Sequence, residues 1–83
     1  MNIFFQKMLT LFDSITINSE VCNGQPTIRG TRITVQTIME FLGAGESIDE
    51  ILRQYPSLTR EDISACLRFT AELMKNRFVI HHR

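Results

Sequence analysis

The chain has no tryptophan, one tyrosine, two prolines, four glycines and two cysteines in 83 residues. Cys22 and Cys66 stand far apart, with no C-x-x-C pair and no clustered histidine, so neither a zinc spacing nor a disulfide framework is present. Both read as free thiols in a reducing compartment. Net charge is also missing: nine basic and nine acidic residues cancel. That takes the chain out of the strongly basic class of nucleic-acid binders and leaves charge placement to decide. No apolar run is long enough for a bilayer. The most apolar segment, "MNIFFQKMLTLF", keeps its single lysine inside the run and has no small-residue cleavage site after it, unlike a signal peptide. A cytoplasmic protein with no membrane partner is the expectation.

Chemistry-bearing patterns are scarce as well. No nucleophile–base constellation and no G-x-x-x-x-G-K frame occurs. His81 and His82 have no acidic or cysteine residue at ligand spacing. Neither an enzyme nor a metal or cofactor protein is expected.

What is there is a small domain with uneven charge. Residues 46–62 carry Glu46, Asp49, Glu50, Glu61 and Asp62 against Arg53 and Arg60, an acidic middle. Residues 63–83 carry Arg68, Lys75, Arg77 and Arg83 against Glu72, a basic end. A chain this short buries a limited core, and small domains often compensate by oligomerising.

The periodicity predicts short strands followed by three helices. "SITIN", residues 14–18, alternates polar and apolar and reads as a strand. "TIRGTRITV" is β-branched and broken by Gly30, a second extended piece or a bulge. Val35, Ile38, Met39 and Leu42 form one helical stripe, capped by Thr34 and ended by "GAG" at 43–45. Ser47 and Glu50 read as a capping box for a second helix with Ile48, Ile51, Leu52 and Tyr55, stopped by Pro56. Thr59 caps a third helix, with Asp62 three residues on and a stripe of Ile63, Cys66, Leu67, Thr70, Ala71 and Met74. Phe69 and Leu73 fall off that stripe and form a second apolar edge, a candidate dimer or partner contact. The last two helices, joined by "PSLT", fit a helix-turn-helix outline. Phe4, Met8, Leu11 and Phe12 suggest an amphipathic helix or an extension over residues 1–14, and "RFVIHHR" is an apolar tail with basic flanks.

The stretch "GQPTIRGTRITVQTIMEFLGAGESIDEILRQYPSLTREDISACL" closely resembles domain-of-unknown-function family 433, through its G-x-P-x-I-x-G-T-R-I, A-G-x-S-x-x-E-I and Y-P-x-L-T-x-x-D-I segments. The resemblance runs from Ile15 to Leu73. It implies a mainly α, homeodomain-like three-helix core preceded by short β-strands. It divides the chain into an extension (1–14), the domain (15–75) and a tail (76–83). It further implies the antitoxin of a type II toxin–antitoxin pair, which neutralises a PIN-like ribonuclease toxin and binds operator DNA as a dimer. The alternative is a protein-interaction or oligomerisation module that does not bind DNA.

For DNA, the candidates are Arg29 and Arg32 on the turn and Arg60, Ser64 and Arg68 on the outward face of the third helix, where Ala65 and Glu72 also belong. The competing reading makes Arg29 and Arg32 struts that pair with Glu20, Glu40 or Glu50. Glu61 and Asp62 at the helix entrance would repel phosphate but suit a helix N-terminus. For a protein partner, the candidates are Phe69, Leu73, Arg77, Phe78, Val79 and Ile80.

Overall fold

The structure, a computed structural model, describes residues 13–77, with side chains through Lys75. The expectations for Phe4, Met8, Leu11, Phe12 and for Phe78, Val79 and Ile80 lie outside the described residues.

Two short strands, β1 (Ile15–Thr16) and β2 (Thr27–Ile28), pair antiparallel with Ile15 opposite Ile28 and Thr16 opposite Thr27. Opposed residues share a face. Ile15 and Ile28 therefore enter the core together, while the hydroxyls of Thr16 and Thr27 meet at 3.3 Å. So short a pair is marginal alone and holds because it packs on the helices.

The link between the strands turns through Cys22, Asn23 and Gly24, all at positive φ (51°, 58° and 78°). Asn and Gly visit this region readily, whereas Cys22 does so at a steric cost. Its thiol donates to the carbonyl of Arg32 at 3.2 Å, which ties the link to the following turn.

That turn explains the glycine–threonine pair. The Thr31 amide donates to Ile28 O at 3.0 Å and Gly30 sits at φ +78°, the arrangement of a type II turn with glycine in its third position. The Thr31 hydroxyl donates to Ile28 O at 2.8 Å and accepts from the Ile33 amide at 3.0 Å. Ile28 in turn donates to Ile33 O at 2.9 Å, and Val35 donates to Pro26 O at 2.9 Å. The chain leaves this knot directly into the first helix.

Helix α1 (Val35–Gly43) starts at Thr34, whose side chain accepts from the Thr37 amide at 3.0 Å. It ends in a Schellman arrangement: Gly45, at φ +95°, donates to Leu42 O, and Glu46 donates to Phe41 O. Helix α2 (Ile48–Gln54) carries the complete capping box of Ser47 and Glu50 and stops before Pro56. Helix α3 (Arg60–Arg77) has a reciprocal cap of its own, with Asp62 N to Thr59 Oγ1 at 3.2 Å and Thr59 N to Asp62 Oδ2 at 2.9 Å.

The core gathers Ile15 and Ile28 from the sheet, Val35 and Ile38 from α1, Ile51 from α2, Leu58, and Ile63, Ala65, Cys66 and Phe69 from α3. Phe41 and Tyr55 close the α1–α2 corner with ring centroids 6.0 Å apart. Burial, reinforced by the charge of Asp62, pushes the Cys66 thiol up to about 12, so it packs as a small apolar group.

The capping box makes folding pH-dependent in a definite direction. The Ser47 backbone N–H, then the Ser47 side chain, hold the Glu50 carboxylate below its ordinary value of 4.5, and Arg53 adds a smaller pull. A lowered folded-state value contributes stability above the unfolded pKa that disappears as pH falls through the folded one. Replacing Glu50 by Gln should therefore make the melting temperature less sensitive to acid as pH falls through and below 4.5. Parallel melting–pH curves for the variant and the parent would contradict this.

Candidate functional site

Two surfaces hold the residues singled out from the sequence. The first is the turn after β2. Arg29 and Arg32 are both exposed and line one depression of about 500 Å³ with Thr16, Asn18, Val21, Thr27, Gly30 and Thr31. Among the described residues, the lining contains two cations, four neutral polar side chains and no carboxylate.

Arg29 is a strut, though not of the expected kind. Its Nε donates to the backbone carbonyl of Asp13, and its own amide donates to Ser14 O at 2.7 Å. It thereby fastens the turn to the start of β1. Neither Arg29 nor Arg32 forms an ion pair with Glu20, Glu40 or Glu50. Glu50 is committed to Ser47, and Glu40 accepts from Gln36 at 3.1 Å. The Arg32 side chain makes no hydrogen bond among the described residues; its backbone carbonyl alone is used, by Cys22.

The second surface is the outward side of α3. Here the cations face carboxylates. Arg60 pairs with Asp49 across the α2–α3 junction, and Arg68 pairs with Glu61 two turns back at 3.3 Å. Both pairs are more than half exposed, so each contributes little to stability. They nevertheless screen the two arginines that a reading helix would offer to DNA. Ser64 is exposed between them. No residue of α3 lines the depression that holds Arg29 and Arg32, so the five DNA candidates do not form one site.

The apolar phase of α3 differs from the expected one. Phe69, expected on a partner edge, is 1% exposed and sits in the core, and Ala65, expected outward, is 2% exposed. Leu67, Ala71 and Met74, expected inward, are exposed instead, Leu67 at 41% and Met74 at 52%. The outward apolar edge of α3 is therefore Leu67–Ala71–Met74, at spacings of four and three residues. Leu73 is half-buried and borders two adjoining depressions, of about 890 and 360 Å³, that share Pro26 as well. Arg77 closes the helix backbone.

Sequence reasoning did not single out Thr16, Thr27 and Asn18. The strand register was the available signal, since pairing Ile15 with Ile28 obliges the two threonines to meet. Among the described residues, no group of three or more His, Cys, Asp or Glu is placed to hold a metal ion, and no helix is long and apolar enough to cross a membrane.

The geometry has relatives. The family described as "Protein of unknown function (DUF433)" matches residues 15–70. A DUF433 member protein from Anabaena variabilis, known from its crystal structure, superimposes with a TM-score of 0.70 at 36% sequence identity, over 88% of this chain and 69% of that one. The uncharacterized protein y4eO of Sinorhizobium fredii is 35% identical over 49 residues, 59% of this chain and 22% of its own length. This chain thus spans about a fifth of that curated relative.

The reassigned face of α3 makes a direct comparison possible. Phe69→Ala should cost about 3–5 kcal/mol, the range for emptying a buried aromatic site. Leu67→Ala should stay within about 0.5 kcal/mol of the parent, as surface changes usually do. Chemical denaturation of both variants checks this, and equal losses would contradict the assignment.

Proposed function

This chain belongs to the DUF433 family, and from that premise we propose that it is the antitoxin half of a type II toxin–antitoxin pair. It binds and neutralises a PIN-like ribonuclease in the cytoplasm, with operator DNA as a second partner. The observation that carries the protein-binding half is the exposed Leu67–Ala71–Met74 edge, set on the half of α3 that leads into the basic, apolar "RFVIHHR". An apolar strip on a helix with cations beyond it suits a helix-in-groove contact, with the basic end approaching the carboxylates of a metal-dependent nuclease. Candidate contacts are Leu67, Met74, Leu73 and Arg77, followed by Phe78, Val79 and Ile80. A homodimer or larger assembly fits the limited core of so small a domain.

A second reading has its own observation. Arg60 and Arg68 are held by Asp49 and Glu61, which favours a protein-interaction or oligomerisation module that leaves DNA alone.

Co-expression with the product of the neighbouring reading frame tests the main reading. The pair should co-purify, and the partner's ribonuclease activity should be suppressed. A Leu67→Asp/Met74→Asp double variant should keep the parent's melting temperature and lose at least tenfold in partner affinity, a loss of about 1.4 kcal/mol. Full suppression by that variant, together with full suppression by a chain ending at Lys75, would reject α3 and the segment after it as the inhibitory element.

A further inference from the structure

We propose that the depression under the β2 turn is a seat for the phosphodiester backbone of duplex DNA, and that this chain meets nucleic acid through Arg29 and Arg32 and not through α3. The inference rests on the operator-binding half of the proposed function and is independent of toxin capture.

Three observations carry it. The first is how the arginines of the turn differ from those of α3. On α3, Arg60 faces Asp49 and Arg68 faces Glu61, and the entrance of the helix carries Glu61 and Asp62. On the turn, Arg29 spends Nε on a backbone carbonyl, and Arg32 spends nothing from its side chain among the described residues. The guanidinium edges left over on the turn are the donors that match phosphate oxygens in a forked geometry.

The second observation is the neutral remainder of the lining. Thr16, Asn18 and Thr31 add hydroxyl and amide groups of the kind that contact phosphate and sugar, and among the described residues no carboxylate lines the depression with them. Thr27, 2% exposed and bonded to Thr16, forms the floor.

The third is rigidity. Arg29 is the second residue of a type II turn and Arg32 follows it; the turn is held by the Thr31 hydroxyl, by the hydrogen bond from the Ile28 amide to Ile33 O and by the Cys22 thiol on the Arg32 carbonyl. A cation fixed on such a turn loses less freedom on binding than one on a free loop. Gly30, exposed and without a side chain, lets a backbone approach closely. Contacts of this kind position a protein on DNA and carry no base preference of their own.

The test is a salt titration of the full chain on duplexes of unrelated sequence, read by fluorescence anisotropy, alongside thermal melting. Arg32→Gln is the informative variant, because the Arg32 side chain makes no hydrogen bond or ion pair among the described residues. It should melt with the parent, weaken binding to every duplex alike, and reduce the log–log salt slope by about 0.9 for each phosphate that the variant no longer neutralises. Arg60→Gln should leave the slope unchanged. The proposal is overturned if Arg32→Gln binds with the parent's slope, if the slope responds to Arg60→Gln instead, or if the parent binds no duplex at about 50 mM salt. Saturable uptake of inorganic phosphate at constant ionic strength with no duplex retained would overturn it in favour of a small-anion site.

Discussion

One hydroxyl group organises the N-terminal half of this domain. Thr31 donates to Ile28 O and accepts from Ile33 N, bridging the two limbs of a turn that Gly30 makes possible by taking φ +78°. From that bridge the Ile28 amide reaches Ile33, β2 is placed against β1, and the chain returns so that Val35 donates to Pro26. The same return delivers Thr34 to the N-terminus of α1 as its cap. Ile15, Ile28 and Val35 thereby enter one core with α3, although neither two-residue strand would persist alone. The G-x-P-x-I-x-G-T-R-I motif is thus first a folding device. Its proline carbonyl, glycine φ and threonine hydroxyl each have a structural use, Arg29 fastens the turn to the start of β1, and the Arg32 side chain is what the device holds out to solvent.

Charge then separates the two faces. The acidic middle of the chain is spent locally: Asp49 and Glu61 on arginines, Glu50 and Asp62 on helix caps. The two arginine contacts neutralise Arg60 and Arg68 of α3, while the caps start the helices. A net charge of zero therefore hides a division of labour. The turn after β2 keeps its positive charge, and α3 offers an apolar edge instead. On the proposed reading, nucleic acid and protein partners address different surfaces and need not compete.

Much of this was legible from residues alone. The caps at Thr34, Ser47 and Thr59 follow from side-chain chemistry one turn away, and the helix ends at "GAG" and before Pro56 follow from backbone restrictions, so local reading suffices for them. The inward face of α3 did not follow. Its first turns were in phase, with Ile63 and Cys66 inward, but apolar residues at 67, 71 and 74 imitate a continuing stripe. Only contact with β1 and α1 shows that Phe69 is the inward residue; a helix with apolar side chains on two sides has no local signal that says which side meets the core. The role of Arg29 was hidden for a related reason. Pairing an arginine with a backbone carbonyl sixteen residues away requires the hairpin to exist, and a carbonyl is carried by every residue, so its identity gives no local signal.

The central claim is that the β2 turn and the edge of α3 are separate binding surfaces. Backbone amide shifts of the isotope-labelled chain, followed through titration with a duplex of random sequence, test it most directly. The account predicts that shifts concentrate at Thr16, Asn18, Thr27 and Arg29–Arg32, while Arg60–Met74 stays in place. Shifts centred on Arg60, Ser64 and Arg68, with the turn unmoved, would contradict it and return DNA reading to the third helix.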